Sequence, residues 1–303
     1  MDILYMLEKI RVPGLNEFML GVTELGGELP FLIIAMIVFW CVDKRRGYYV
    51  LSVGFLGTLT NQFMKLWFRV PRPWVLDPEF TILEEAREAA TGYSFPSGHT
   101  QNSVGTFGAL AVTTKNKWLR IAAIALVILV PFSRMYVGVH TPVDVLVAAA
   151  TAVIFLVALH PVVFRKDGKH IPALLAVMTA LAVAFICFVE FYPFPADIDA
   201  SNLTSGVKNA YTLFGALAGL IVVYIVDEKY LRFNTEAVWW AQIIKVILGL
   251  LAVLMIKAGM KAPLNALFGG HMIATGVRYF LIVIMAGIVW PLTFQWFSKL
   301  GRK

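Results

Sequence analysis

Charged side chains are scarce in this sequence. Only 15% of its 303 residues are charged, while 59% are hydrophobic and the mean hydropathy is +0.76. A soluble domain would carry about 25% charged residues. Because the apolar excess is too large for one water-soluble core, the composition predicts an integral membrane protein.

Cysteine is also rare, and its placement excludes two kinds of site. Cys41 and Cys187 each lie inside an apolar run, so they predict neither a disulfide framework nor a metal site. No carboxylate cluster in the sequence suits Mg²⁺, and we expect neither a metal nor a cofactor. The formal charge of +7 indicates basic cytoplasmic loops and not a surface that binds nucleic acid.

The apolar segments predict an all-α, polytopic bundle of transmembrane helices. A spanning helix needs roughly 20 mostly apolar residues. We expect nine spans, with eight or ten as alternatives, near residues 20–42, 48–68, 97–114, 119–138, 142–163, 171–191, 209–226, 237–258 and 277–297. Residues 1–19 are amphipathic and lack the long apolar region of a cleavable signal peptide, which predicts an N-terminal interfacial segment.

Basic loop residues predict the orientation in the membrane. The side that receives more of them is cytoplasmic by the positive-inside rule, and it includes Lys44, Arg45, Arg46, Lys117, Lys166 and Lys229. The longest polar insertion, residues 70–95, falls on the opposite side, and so does the stretch YSFPSGHTQ at residues 93–101. This stretch is therefore expected at the non-cytoplasmic face.

Within that stretch, Pro96 to His99 have the chemistry of a helix start. Proline is favoured in the first turn, and the following residues would offer unpaired N–H groups at the positive end of the helix dipole. Ser97 adds a hydroxyl donor, Gly98 lets an anion approach closely, and His99 can donate a proton. A phosphate group fits this arrangement; a capped helix start with an incidental histidine is the alternative.

A basic stretch, KLWFRVPRP, precedes it at residues 65–73. Lys65 and Arg72 are seven residues apart, so both side chains would point the same way on a persisting helix. Arg69 would join them unless Pro71 turns the chain away. The alternative is that these cations snorkel at the end of a span.

The third stretch, SRMYVGVHTPVDV at residues 133–145, follows a strongly apolar run. A charge at Arg134 costs roughly 2.5 kcal/mol or more unless it is partnered. His140 and Asp144 are four residues apart and share a helix face. A carboxylate that fixes one imidazole nitrogen leaves the other oriented and more basic, as a nucleophile or base requires; a structural His–Asp pair is the alternative.

The predicted helix order brings the three stretches to one side of the membrane, and together they closely resemble the type-2 phosphatidic acid phosphatase superfamily. That superfamily also includes glucose-6-phosphatase and vanadium-dependent haloperoxidases. Its pattern is KxxxxxxRP, PSGH and SRxxxxxHxxxD, which the chain matches without a gap. The resemblance covers roughly residues 20–165, expected to form a catalytic helix bundle. Residues 166–303 are expected to add C-terminal transmembrane helices of unknown role.

The resemblance implies a role for each matched residue. His140 would be the nucleophile that forms a phosphohistidine, Asp144 would hold its other nitrogen, and His99 would be the general acid. The phosphoryl oxygens would be bound by Lys65, Arg72, Ser97, Gly98 and Arg134. The resemblance also implies a metal-independent phosphoric ester hydrolase that acts on a lipid phosphate and is inhibited by vanadate.

The resemblance leaves the substrate open. Phosphatidic acid, phosphatidylglycerophosphate, a polyprenyl (di)phosphate and a sphingoid-base phosphate all carry their phosphate at headgroup level. A non-cytoplasmic site favours polyprenyl (di)phosphate recycling or general lipid phosphate removal, in a bacterial plasma (inner) membrane. A phosphotransferase with the same site and a lipid-phosphate transporter or flippase are the alternatives, and the oligomeric state is open.

Overall fold

The computed structural model describes residues 1–165 and 170–300. The regular structure within these ranges is entirely helical, which confirms the predicted all-α fold. Lys166, assigned above to the cytoplasmic side, lies outside the described residues. The division of the chain at residue 166 falls there as well and stays a prediction.

The helices follow one another along the chain with short connections. The α-helices are α1 Asp2–Lys9, α2 Pro13–Glu24, α3 Glu28–Ile37, α4 Lys44–Phe68, α5 Pro73–Leu76, α6 Gly98–Thr113, α7 Lys117–Tyr136, α8 Pro142–Val163, α9 His170–Phe191, α10 Ala200–Val226, α11 Trp239–Gly259, α12 Lys261–Leu267, α13 Ile273–Ile284 and α14 Phe294–Lys299. Single π- or 3₁₀-helical turns lie at Val38–Val42, Glu84–Ala86, Asp227–Leu231, Met285–Val289 and Trp290–Thr293.

Local sequence chemistry sets several helix starts. Proline occupies the first turn of α2, where its missing N–H costs nothing. The side chain of Asn116 caps α7 by accepting hydrogen bonds from the backbone N–H groups of Trp118 at 2.9 Å and Leu119 at 3.2 Å. The α2–α3 pair bends by 53° at Gly26 and Gly27.

Six described helical segments are long and apolar enough to cross a membrane, which confirms an integral membrane protein; they are Lys117–Tyr136, Pro142–Val163, His170–Phe191, Ala200–Leu231, Trp239–Leu267 and Ile273–Lys299. The bent pair α2–α3 would make a seventh.

The prediction of nine spans is not confirmed. The other two expected spans are α4 and α6. Helix α6 has 16 residues, or about 24 Å at the helical rise, and α4 carries a polar run that includes Asn61, Gln62 and Lys65. Both helices that fall short carry polar residues of the candidate site.

The described chain divides into two compact units. The N-terminal unit comprises Met1–Leu32, Tyr49–Pro161 and Phe194–Gly206, and the C-terminal unit comprises the described residues of Ile33–Tyr48, Val162–Pro193 and Val207–Lys303. All residues matched to the family pattern lie in the N-terminal unit.

Within the N-terminal unit, the first two helices hold the polar insertion in place. Leu4 of α1 is fully buried against Phe80 of the insertion. The guanidinium of Arg11 donates to the carbonyl oxygens of Thr81 at 2.8 Å and of Tyr136 at 3.0 Å. These contacts fix the insertion against the end of α7, next to the candidate site; the interfacial location of residues 1–19 stays a prediction.

Candidate active site

Lys65 and Arg72 do not lie on one helix. Helix α4 ends at Phe68, and Arg69 adopts a left-handed conformation with φ of 50°. Arg69 turns back on α4, where it donates to the carbonyl oxygen of Leu66 at 3.0 Å, and does not join the site. A persisting helix was the condition for Lys65 and Arg72 to share a helix face, and this condition is not met. The loop nevertheless brings the guanidinium of Arg72 close enough to Lys65 for the two positive charges to interact.

Arg72 is buried and is held by backbone carbonyl groups. Its Nε donates to Gly92 at 3.1 Å, its Nη2 to Thr91 at 2.7 Å and its Nη1 to Val139 at 3.0 Å. Burial lowers the pKa of Arg72 to about 10, so the side chain stays protonated at neutral pH. Neutral carbonyls orient this guanidinium without cancelling its charge, which leaves the charge available to an anion.

His140 lies between α7 and α8, in contact with Arg72. Nη1 of Arg72 is 2.9 Å from Nε2 of His140. Because a guanidinium can only donate, Nε2 accepts and the ring proton lies on Nδ1. Burial, followed by repulsion from Arg72, Arg134 and Lys65, lowers the pKa of His140 well below its ordinary value. The imidazole is therefore neutral, with a lone pair on Nε2, as a nucleophile requires.

Asp144 stands behind His140, and a serine links the two side chains. Nδ1 of His140 is 3.6 Å from Oδ2 of Asp144, beyond a good hydrogen bond. The fully buried Ser94 donates to the same Oδ2 at 2.7 Å and lies 3.5 Å from Nδ1. The backbone N–H of Thr141 also donates to Oδ2, at 2.7 Å. The carboxylate is thus fixed by two donors on the Nδ1 side of the ring.

Helix α6 starts next to the predicted stretch, but Pro96 precedes its cap and does not lie in its first turn. Ser97 caps the helix, its Oγ accepting from the backbone N–H of Thr100 at 3.4 Å. The N–H of Ser97 donates to the carbonyl oxygen of Asp144 at 3.1 Å, which joins the start of α6 to the start of α8. The N–H groups of Gly98 and His99 have no acceptor within the helix, so they suit an anion.

Two further cations complete the site. The ammonium group of Lys65 is buried and donates to the carbonyl oxygen of Tyr93. Arg134, in the last turn of α7, is 0% exposed, and its Nη1 donates to Oγ1 of Thr23 at 2.7 Å. Its Nε and Nη2 are buried and have no hydrogen-bond partner among the described residues. Arg134 therefore keeps two N–H-bearing atoms for an anion.

Three polar residues of the site were missed by the sequence analysis. Ser94 lies inside the quoted stretch, two residues before Pro96, so its position close to the motif was a usable signal. Asn61, one turn before Lys65, donates to the carbonyl oxygen of Pro96 at 3.2 Å. Thr23 has no sequence signal, because it lies more than a hundred positions from Arg134.

These groups form a candidate phosphoryl-transfer site inside a membrane protein. Three cations and a helix start can neutralise phosphoryl oxygens, and a neutral imidazole can attack phosphorus. Among the described residues, which are 1–165 and 170–300, no group of three or more His, Cys, Asp or Glu side chains is arranged to hold a metal ion.

The family models identify the class further. Residues 46–168 match the PAP2 superfamily, and residues 211–303 match the transmembrane extension of PAP2 superfamily phosphatases. The chain belongs to the PAP2 superfamily. The predicted family and the predicted enzyme class, a phosphoric ester hydrolase, are confirmed.

Curated relatives share this membership. The chain is 33% identical over 150 residues to phosphatidylglycerophosphatase B of Bacillus subtilis (strain 168), covering 45% of this chain and 70% of that protein. It is 29% identical over 142 residues to undecaprenyl-diphosphatase BcrC of the same organism, covering 46% of this chain and 70% of that protein. It is 25% identical over 268 residues to sphingosine-1-phosphate phosphatase 1 of Mus musculus, covering 83% of this chain but only 60% of that protein. No solved structure matches the chain significantly.

Proposed function

We propose that this protein is a metal-independent lipid phosphate phosphatase that works through a phosphohistidine on His140. The observation that carries the proposal is the placement of His140: a buried imidazole whose Nε2 is 2.9 Å from Nη1 of Arg72 and whose Nδ1 is 3.6 Å from Oδ2 of Asp144. A lone pair beside a fixed cation can attack a phosphorus atom whose oxygens that cation binds.

In the first step, the bound phosphate takes over the Arg72 N–H that Nε2 of His140 accepts, and the freed lone pair of Nε2 attacks the phosphorus atom of the lipid phosphate. The N–P bond forms and the P–O bond to the lipid breaks, with its electron pair going to the departing oxygen. His99 protonates that oxygen. Lys65, Arg72 and Arg134 bind the phosphoryl oxygens, with help from Ser97 and the N–H of Gly98. Asp144 stabilises the imidazolium that His140 becomes.

In the second step, water hydrolyses the phosphohistidine. The oxygen of water attacks phosphorus, the N–P bond breaks, and its electron pair returns to Nε2 of His140. His99 takes the proton of water, which restores the acid for the next turnover. Inorganic phosphate leaves, and the charges that bound it are ready for another substrate.

The relatives support a lipid as the carrier of the phosphate. Their names refer to phosphatidylglycerophosphate, undecaprenyl diphosphate and sphingosine 1-phosphate, which have in common a phosphate at the polar end of a long apolar chain. We propose a polyprenyl (di)phosphate as the first substrate to test, with phosphatidic acid and the other lipid phosphates beside it. Residues 20–165 are proposed as the catalytic bundle.

The orientation is part of the proposal: the site faces the non-cytoplasmic side of a bacterial plasma membrane. Helix α7 is a candidate span that begins at Lys117 and carries Arg134 in its last turn. In a background with Cys41 and Cys187 replaced by serine, a membrane-impermeant maleimide should label Arg87→Cys in intact cells. Lys117→Cys should react only after permeabilisation. The reverse pattern would contradict the orientation and leave the chemistry untouched.

Release of inorganic phosphate by purified protein tests the activity. The assay contains EDTA and no added metal, and it uses four substrates: polyprenyl diphosphate, phosphatidic acid, phosphatidylglycerophosphate and a sphingoid-base phosphate. We expect release from at least one lipid, loss of release in His140→Ala, and inhibition by vanadate. Release by His140→Ala at the wild-type rate would refute the mechanism. Release that requires an added alcohol acceptor would instead indicate a phosphotransferase.

A further inference from the structure

We propose that Thr23, in α2 near the start of the chain, is a positioning residue for Arg134 in the phosphoryl-transfer site. The proposal rests on the proposed function and extends the working site beyond the segment 46–168 that matches the family model. It predicts that a single hydroxyl group of an N-terminal helix sets how Arg134 binds a phosphate.

The contact between the two side chains is buried and direct. Oγ1 of Thr23 accepts a hydrogen bond from Nη1 of Arg134 at 2.7 Å, and the two residues are 1% and 0% exposed. No other hydrogen bond or ion pair of the Arg134 side chain occurs among the described residues. Glu24, next along α2, adds a favourable electrostatic interaction with Arg134. Thr23 is therefore the group that fixes the rotation of this guanidinium.

The identity of the anchored nitrogen decides what Arg134 can bind. In a guanidinium, Nε–H and one N–H of Nη2 point in the same direction and form the edge that binds two oxygens side by side. In Arg134 these are the two atoms that are buried without a partner in the described chain. Because Thr23 takes Nη1, the whole bidentate edge stays available to two phosphoryl oxygens.

Helix α2 is docked firmly enough to act as such a support. Asn16, Met19 and Thr23 lie on one face of α2, and all three contact the end of α7. Oδ1 of Asn16 accepts from the hydroxyl group of Tyr136 at 2.7 Å, and Met19 packs in the same buried cluster as Tyr136. The anchor at Thr23 is thus one of three successive contacts and not an isolated approach.

The turn after α2 also meets the start of α6. A Cβ atom added to Gly26 would lie 2.9 Å from the carbonyl oxygen of His99 and 2.6 Å from Cγ1 of Val130. Only a glycine permits this approach of the α2–α3 turn to the backbone of His99. The N-terminal helices therefore contact two elements of the site, the Arg134 end of α7 and the first turn of α6.

The test replaces the hydroxyl group and keeps the shape. Thr23→Val removes the acceptor with almost no change of volume, Thr23→Ser keeps the acceptor, and Thr113→Val is the matched control. Thr113 lies at the far end of α6, where its hydroxyl group bonds to the carbonyl oxygen of Ala109 at 2.7 Å. Steady-state kcat and KM, the vanadate inhibition constant, and the thermal shift produced by vanadate are measured for each purified protein.

We expect Thr23→Val to lower kcat/KM and to weaken vanadate inhibition at least about tenfold, because a hydrogen bond to a charged group is lost. Thr23→Ser should stay within about twofold of the wild type, and so should Thr113→Val. Wild-type kinetics and vanadate affinity in Thr23→Val would overturn the proposal. Equal losses in Thr23→Val and Thr23→Ser would overturn it too, since they would mean that Thr23 acts only by packing.

The design separates this proposal from the proposed function. If the wild type releases no phosphate from any lipid, the proposed function fails. The thermal shift with vanadate then still tests Thr23, because it measures anion binding without turnover. The positioning role would be supported if vanadate shifts the melting temperature of the wild type and of Thr23→Ser equally and that of Thr23→Val less. A shift that is equal in all variants, or absent from the wild type, would refute it.

Discussion

Replacing Ser94 by alanine should slow the chemical step without weakening substrate binding. The hydroxyl group donates to Asp144 at 2.7 Å and lies 3.5 Å from Nδ1 of His140, while the direct His140–Asp144 distance is 3.6 Å. Without Ser94, Asp144 keeps the bond from the backbone of Thr141 but loses its link to the imidazole. A hydrogen bond to a charged group contributes about 1.5–3 kcal/mol. At 1.36 kcal/mol per tenfold in rate, kcat should fall roughly 10- to 150-fold.

The assay is phosphate release at saturating and limiting lipid phosphate, which gives kcat and KM separately. KM should change little, because Ser94 contacts neither Lys65 nor Arg134 and the cations that bind phosphate stay in place. Ser52→Ala is the matched control: Ser52 is also 0% exposed, and its hydroxyl group has no hydrogen-bond partner in the described part of the chain. A wild-type kcat in Ser94→Ala would refute this reasoning, and so would an equal fall in Ser52→Ala.

Three other changes test the site and its support. Asp144→Asn should lower kcat more than tenfold while the melting temperature stays close to the wild type; normal turnover would contradict the role of Asp144. Leu4→Ala removes a fully buried side chain and should cost about 2–5 kcal/mol of stability, seen as a lower melting temperature in detergent. An unchanged melting temperature would mean that α1 is not packed as described. Lys245→Met should also lower the melting temperature, because the carbonyl oxygens of Trp40 and Thr235 lose the ammonium donor that lies 3.0 and 3.1 Å away. A melting temperature equal to that of the wild type would contradict a stabilising role of these two hydrogen bonds.

The chemistry of the site was readable from the sequence because its residues cluster in three short stretches. Spacing alone predicted that His140 and Asp144 lie close together, although His140 lies in the connection before α8 and only Asp144 lies on that helix. Proline with a following serine marked the start of α6. The all-α fold and membrane insertion followed from composition. Composition and short motifs carry this information because it depends on the nearby sequence and not on long-range contacts.

The span count was not confirmed, and the helix face that Lys65 and Arg72 would share on a persisting helix does not form. The span count of nine treated α4 and α6 as ordinary spans, but the polar residues of the site reduce the hydropathy of α4, and α6 is short. Lys65 and Arg72 do not share a helix, because α4 ends at Phe68, where the expected span also ends, and Arg69 turns into the left-handed region before Pro71. Hydropathy and spacing do not register such local breaks.

The sequence by itself predicted which residues would carry the chemistry, because the proposed nucleophile, acid and cations all belong to three short motifs to which the resemblance assigns these roles. Only the tertiary structure decided how they are held. Carbonyl groups of Gly92 and Val139 orient Arg72, Ser94 joins His140 to its carboxylate, and Thr23 fixes Arg134 from a distant helix. The reason is physical: a buried charge needs partners wherever packing supplies them, and packing joins segments that are far apart in the chain.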